Sequence, residues 1–221
     1  MCSCGDSRKT RKITGGGYGK LLIVGNGGHG RVVRELASQI NCYRRIQFLD
    51  DDSNYKEDGS VLGGSKEVFN YKKECDVFIA IGDPGSRKRL QESYEAAGVS
   101  VISLIHPQAN LPMEIPEIGR GTVVMAGATI QVGTLIGKGV IVNTAASIDH
   151  DCRIGDYVHI AVGAHLAGNV EVGNGTWIGA GAVVRNNVKI CEDVMIGAGA
   201  VVVEDIVENG VYVGVPATKL T

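Results

Sequence analysis

Ile136-Gly137-Lys138-Gly139-Val140-Ile141-Val142-Asn143-Thr144-Ala145-Ala146-Ser147-Ile148-Asp149-His150-Asp151-Cys152-Arg153-Ile154 decides the fold. A branched aliphatic residue returns at every sixth position. The phase extends upstream through Ile118, Val124 and Ile130, and downstream through Ile160, Leu166, Val172, Ile178, Val184, Ile190, Ile196 and Val202. Fifteen hexads run from 118 to 207 without a break. A fixed short period of this kind marks a solenoid, in which each repeat buries its apolar face only against its neighbours. The branched residue points into a narrow interior. The fifth position is mostly small (Thr122, Ala128, Thr134, Ala146, Cys152, Ala164, Thr176, Ala182, Ala200), which predicts that it makes the tight corner. Three hexads per coil predict five coils, a prism about 24 Å tall at the usual strand spacing. Flat sides and open ends predict association with further copies.

Upstream the texture differs. Residues 1–19 contain Gly15-Gly16-Gly17 and no apolar period, and read as a flexible leader with a short basic stretch (Arg8, Lys9, Arg11, Lys12). From Lys20 strands alternate with helices. Leu21–Val24, Arg45–Leu49, Asp76–Ile81 and Val101–Ile105 read as strands. Helices are expected after Gly30, near 65–71 and over about 85–97. That alternation predicts a parallel sheet with crossovers. The organisation is therefore α/β plus β-solenoid: leader 1–19, a Rossmann-like domain over 20–110 and the solenoid with a C-terminal cap over 111–221.

Composition narrows the function. Glycine supplies 32 of 221 residues, and only 5% of residues are aromatic. No G-X-Y period occurs, and 44% apolar content exceeds that of a disordered chain. No apolar run approaches the ~18 residues of a membrane span. The formal charge of −2 gives no electrostatic reason to expect nucleic acid. Of six cysteines only Cys2-Ser3-Cys4 is close-spaced, so no zinc set is completed and no metal is expected. Without an apolar signal segment near the start, reduced thiols in the cytoplasm are expected.

Two places carry chemistry. Gly25-Asn26-Gly27-Gly28-His29-Gly30 follows a strand and opens a helix, where a phosphate can meet bare backbone and helix N–H groups. Asp50-Asp51-Asp52 ends the next strand, on the side where ligands of parallel sheets bind. A nicotinamide domain needs a second mononucleotide half, for which this unit is too short. In the solenoid, His150 stands between Asp149 and Asp151. A neighbouring carboxylate can accept one ring N–H, fix the tautomer and raise basicity, as a general base near neutral pH requires. His159 and His165 follow at spacings of nine and six, which scatters the three imidazoles over different sides rather than around one metal.

From Lys20 onward the chain resembles the nucleotide-sugar acetyltransferases of the hexapeptide superfamily, near the bacillosamine-pathway UDP-4-amino-sugar N-acetyltransferases and the sialic-acid O-acetyltransferases. The resemblance rests on Ile23–Gly30, Phe48–Asp51, Phe78–Gly82, Leu104-Ile105-His106-Pro107, Asn143–Asp151 and Gly210–Ala217. It implies a left-handed parallel β-helix. It implies acetyl transfer from acetyl-CoA to the amine of a UDP- or dTDP-linked 4-amino-4,6-dideoxy sugar, with His150 as base, Asp151 orienting it and Asn143 in the active site. His159, Gly168 (through its N–H to the thioester oxygen), Ala180 and Ala198 are implied at acetyl-CoA. Gly28, His29 and Gly30 are implied near diphosphate and sugar, Asp50 and Asp51 near base and ribose, and Gly82 and Arg87 at the border of the same pocket. A homotrimer with shared active sites is also implied. The family motif has Glu on both sides of its His, whereas both carboxylates here are one methylene shorter, so a direct or a water-mediated Asp151–His150 contact is open. Transfer to a hydroxyl, and a scaffold that binds nucleotide sugar without turnover, are the alternatives.

Overall fold

In a computed structural model of the chain, the described residues are 19–52 and 60–220. Residues 1–18 of the expected leader lie outside them. Three parallel strands, β1 (Lys20–Val24), β2 (Arg45–Leu49) and β3 (Asp76–Ile79), form a sheet in the order β2-β1-β3. Ile23 pairs with Phe48 on one side and Phe78 on the other. All of β3 is buried, as befits a parallel strand covered on both faces. Helix α1 (Gly28–Ile40) covers one face with Val33, Leu36 and Ala37. Helix α2 (Val68–Tyr71) and helix α3 (Pro84–Ala96) cover the other with Val68 and Tyr94.

The expected fourth strand is divided. Val101 makes one parallel bridge to Val77. The chain then leaves the sheet, and β4 (Leu104–Ile105) pairs with Val123–Val124 of the solenoid. Ser103 drives the switch: its hydroxyl donates to the Gly119 carbonyl (2.9 Å) and accepts the Thr122 N–H (3.2 Å). One hydrophobic cluster consequently runs from Leu21, Ile23 and Phe78 through Ile102 into Val123, Met125 and Ile141. Sheet and solenoid are welded by a shared core rather than joined by a linker.

The solenoid has three parallel faces. Face I stacks β4, Val123–Val124, Ile141–Val142, His159–Ile160, Trp177–Ile178, Val194–Ile196 and Gly210–Val213. Face II holds Thr129–Ile130, Ser147–Ile148, His165–Leu166, Val183–Val184 and Val201–Val202. Face III holds Leu135–Ile136, Arg153–Ile154, Glu171–Val172 and Lys189–Ile190. Most partners lie 18 residues apart, three hexads, as in Val123↔Ile141 and His159↔Trp177. The run of strands on face I makes about six turns, one more than the hexads predict. The extra coil escapes a period-six search because Leu104↔Val123 spans 19 residues and Ile196↔Tyr212 only 16.

The corner also differs from expectation. Every fourth position from Gly121 to Gly199 has positive φ, including Ala145 (56°), Asp151 (59°) and Tyr157 (60°). That left-handed residue makes the turn. The fifth residue points inward instead and is buried throughout. Its size is set by the column it joins: Ala128, Ala146, Ala164, Ala182 and Ala200 stack beneath one edge. Where it is Thr or Cys, it ties coils together. Thr122, Thr134 and Thr176 each accept an N–H 18 residues on and donate to a carbonyl 15 residues on. Cys152 does the same through sulfur.

Candidate active site

The glycine turn opens a cavity of about 440 Å³ at the carboxyl ends of β1–β3, lined by Gly25, Gly28, His29, Asp50, Asp51 and Gly82 among others. Three of the four glycines of the turn do different work. Gly25 has φ +104°, and a Cβ there would stand 2.9 Å from the Ala80 carbonyl oxygen. Gly28 faces open space. Gly30 is buried against the Gly25 carbonyl, so it packs helix on strand and is not among the residues that line the cavity. Helix α1 begins without a side-chain cap and without an acidic residue in its first turn, which leaves its N–H groups and positive dipole end toward the cavity. Asp50 accepts the Asn26 N–H (2.6 Å) and the Asp52 N–H (2.8 Å), and so shapes the turn. Asp51 accepts both the N–H (2.7 Å) and the hydroxyl (2.8 Å) of Ser65.

Arg87 lies behind the turn that carries Ile81 and Gly82. It is 1% exposed, does not line the cavity, and donates only to backbone carbonyls of Gly139, Ile81, Gly82 and Tyr157. It ties the lobe to the solenoid from behind the cavity wall.

His159 lies on face I and is buried. Asn143 Nδ2 donates to its Nε2 at 3.2 Å. The amide is held in that orientation because Asn143 Oδ1 accepts the Thr144 N–H (2.8 Å). Nδ1 of His159 therefore carries the proton, and among the described residues this buried atom has no partner. Trp177, one coil on, packs against it with ring centres 4.1 Å apart and planes tilted by 49°, and its ring edge comes within 3.9 Å of where a Gly82 Cβ would stand. Burial, then Arg87 and His29, lower the His159 pKa to about 3. Burial, then Arg87, lower that of His29 to about 4. Both imidazoles are neutral at ordinary pH. Face I thus brings His159, Asn143 and Trp177 up to the lobe.

His150 stands elsewhere, on the edge between faces II and III. Its N–H is held by Asp149 Oδ1 (2.7 Å), and its Nδ1 meets Asp151 Oδ2 directly at 2.9 Å. Asp151 takes the left-handed fourth position of its hexad. Since a carboxylate only accepts, Nδ1 carries the hydrogen and Nε2 keeps a lone pair. The hydrogen bond to Asp151, then the charge of Asp149, raise the His150 pKa. The pair is wedged between two glycines. A Cβ on Gly133 of the preceding coil would strike Asp151 Oδ1, and one on Gly168 of the following coil would stand 2.5 Å from His150 Nε2. Among the described residues the Gly168 N–H has no hydrogen-bond partner. Ala180 and Ala198 lie exposed on the edge between faces I and II. His165 is on face II beside Ser147 (2.8 Å).

The sequence singles out His150 and His159 and puts their rings on different sides, as the structure does. In a triangular coil the edge between faces II and III is opposite face I. One chain therefore holds two separate groups of these residues: cavity, His29, His159 and Asn143 on one side, His150, Asp151 and Gly168 on the other. Trp177, Gly133 and Ser65 are neighbours that a period of six does not single out. A period of 18 finds the first two, since it stacks Trp177 on His159 and Gly133 above Asp151.

Known proteins resemble this chain in sequence and fold. Residues 20–94 match the PglD N-terminal domain, and residues 169–204 match the bacterial transferase hexapeptide (six repeats). The UDP-N-acetylbacillosamine N-acetyltransferase of Bacillus subtilis (strain 168) is 38% identical over 111 residues, 48% of this chain. That match spans about half (51%) of the curated relative's length. Among solved structures, the acetyltransferase domain of PglB from Neisseria gonorrhoeae FA1090 is 41% identical, with a TM-score of 0.87 over 91% of this chain and 99% of that one. It has also been solved with acetyl coenzyme A. PerB from Caulobacter crescentus, in complex with CoA and GDP-perosamine, is 34% identical, with a TM-score of 0.84 over 90% of this chain and 96% of its own. A parallel α/β lobe fused to a hexapeptide solenoid defines a class of acyltransferases. Within it, the chain belongs to the PglD- and PglB-type acetyltransferase family.

Proposed function

We propose that this chain transfers the acetyl group of acetyl-CoA directly to the amine of a nucleotide-linked 4-amino-4,6-dideoxy sugar. The observation that carries the reading is the half-exposed His150–Asp151 pair, whose basic Nε2 lies beside Gly168 and its unengaged N–H. The amine nitrogen attacks the thioester carbonyl carbon as His150 Nε2 takes its proton. The tetrahedral oxyanion is steadied by the Gly168 N–H. The C–S bond then breaks, and the leaving thiolate takes the proton from the imidazolium. An enzyme-bound acyl group is unnecessary when both substrates are held together.

The lobe cavity holds the nucleotide diphosphate at the α1 N-terminus, with Asp50 and Asp51 toward base and ribose. His29, His159 and Asn143 place the sugar and the acetyl group, and Ala180 and Ala198 flank the pantetheine arm. The working division of the chain lies near residue 110. Because His150 stands on the edge opposite the lobe, the complete site is formed between chains, most simply in a homotrimer. Acetyl-CoA and nucleotide sugars as substrates imply a cytoplasmic enzyme. The relatives' names point to both UDP- and GDP-linked sugars, so a guanine nucleotide joins UDP and dTDP as a candidate carrier.

The test is thiol release from acetyl-CoA across UDP-, dTDP- and GDP-linked 4-amino sugars and their hydroxyl counterparts. Turnover with one amino sugar and an amide in the product is expected. Silence with every amino sugar, or an ester product, would sink the assignment.

A further inference from the structure

Arg87 sits one turn into α3, yet its side chain runs back beneath the β3–α3 turn. Nη1 donates to the carbonyls of Ile81 (2.8 Å) and Gly82 (2.7 Å), both in the wall of the lobe cavity. Nε donates to the Gly139 carbonyl (2.6 Å) and Nη2 to that of Tyr157 (2.7 Å). These last two lie on successive coils of the edge between faces III and I. One planar fork thus joins the cavity wall to two coils at once, a geometry that an ammonium group cannot copy.

The same edge is shaped to receive the helix. Gln91, one helical turn beyond Arg87, donates Nε2 to the Arg120 carbonyl (2.9 Å). Gly121 leaves the room that the Gln91 amide fills, and Gly139 leaves the room for the Tyr157 ring. Tyr157 itself is held at φ 60°, a costly conformation for a bulky residue, and presents its carbonyl to Arg87.

All four acceptors are neutral. Among the described residues no carboxylate lies within ion-pairing distance of Arg87. Burial lowers its pKa to about 10, with Asp83 and Tyr157 opposing, so it remains a cation at neutral pH. A buried cation without a paired anion is unfavourable and calls for a compensating charge. The cavity whose wall it grips faces the uncapped start of α1, and a diphosphate there would supply that charge.

We propose that Arg87 is a positioning residue for the nucleotide sugar, fixing the cavity wall on the solenoid edge and placing a buried positive charge behind the diphosphate. This rests on the nucleotide-sugar reading above. Arg87 touches no residue of the His150 edge, so its effect falls on one substrate.

The experiment compares Arg87→Met and Arg87→Lys with wild type, using the nucleotide amino sugar that the wild type turns over. Arg87→Met should raise KM for that sugar about tenfold or more, with kcat within about threefold and KM for acetyl-CoA within about twofold. Arg87→Lys keeps the charge without the fork and should fall between. Equal losses in both KM values and in kcat, or a wild-type KM for the sugar in Arg87→Lys, would overturn the proposal. Should Arg87→Met not fold, Arg87→Lys decides alone. If the wild type turns over none of the sugars, it is the functional reading that has failed. Amide exchange then tests Arg87 without turnover: Arg87→Lys should speed exchange at Ala80 and Gly139, both hydrogen-bonded, while Ser147 and His165 on face II stay slow. Unchanged exchange at Ala80 and Gly139 would overturn the positioning role.

Discussion

His150 and Gly168 are in contact across neighbouring coils: a methyl group on Gly168 would stand 2.5 Å from His150 Nε2. Gly168 does not have positive φ, so its backbone accepts alanine. The three nearest atoms all belong to the end of an imidazole whose side chain is 56% exposed, so it can move outward at the cost of its bond to Asp151. Gly168→Ala should therefore change stability by less than about 1 kcal/mol while lowering kcat about a hundredfold, because a base displaced by an ångström loses its line to the amine. Thermal unfolding beside steady-state kinetics checks this. A loss of stability as large as the loss of activity would contradict it.

The pH profile follows from Asp151. A base works only when unprotonated, and the bond to Asp151 raises the His150 pKa. Activity should rise with pH through a value above that of an ordinary imidazole. Asp151→Asn removes the largest cause of that rise, so the limb should move to lower pH and kcat should fall, since the tautomer is no longer held. Measuring kcat/KM from pH 5 to 9 for both proteins is the check. The same sign governs stability: a raised folded-state pKa stabilises at pH below the unfolded value and is lost as pH rises through the folded one.

His29 and His159 have the opposite sign. Their folded pKa values, about 4 and about 3, lie below the 6.5 of a free imidazole. The unfolded chain takes up protons below about 6.5 that the folded chain refuses, so stability falls as pH drops from there toward 4. Integration gives on the order of 3 kcal/mol lost per imidazole by pH 4. Urea unfolding at pH 7, 5.5 and 4.5 should show the decline, and His159→Asn should flatten part of it.

The sequence shows the solenoid, its phase and the His150 motif because each is written locally, in six residues or fewer. What it hides is written at longer range. The extra coil through Leu104 departs from the 18-residue step. The burial of Arg87 depends on carbonyls 52 and 70 residues away, which leave no side-chain signal. Gly30 reads as a phosphate glycine because motif and packing demand the same residue there. The separation of His150 from His159, by contrast, is legible in the hexad count, since nine residues are one and a half hexads, half a coil.

Thr134 offers a test of how the His150 edge is held. Its buried hydroxyl donates to the Asp149 carbonyl (2.8 Å) and accepts the Cys152 N–H (3.2 Å), on either side of His150. Thr176 makes the equivalent bonds to Cys191 and Val194, away from that edge. Valine fits the fifth position, as Val140, Val158, Val170 and Val188 demonstrate. Thr134→Val and Thr176→Val should each cost about 1–2 kcal/mol for lost hydrogen bonds. Only Thr134→Val should also lower kcat. Equal activities in the two variants would mean that the corner does not rely on this hydroxyl.

Sharing of the site between chains can be read by mixing two inactive proteins. His150→Ala removes the base and leaves the lobe intact. Gly28→Asp does the converse: its Cβ meets open space, and an acidic residue at the start of α1 suits the helix dipole, but its carboxylate repels a diphosphate. Each variant alone should fold and be silent. If a site pairs the lobe of one chain with His150 of the next, unfolding and refolding the two together in equal amounts creates hybrid sites with both halves sound. Random assembly makes about one site in four of this kind, so about a quarter of wild-type activity should return. Should each chain hold its own complete site, every site in the mixture carries a defect and activity stays at zero. Mixing without unfolding serves as the control, since stable assemblies exchange slowly and should remain silent.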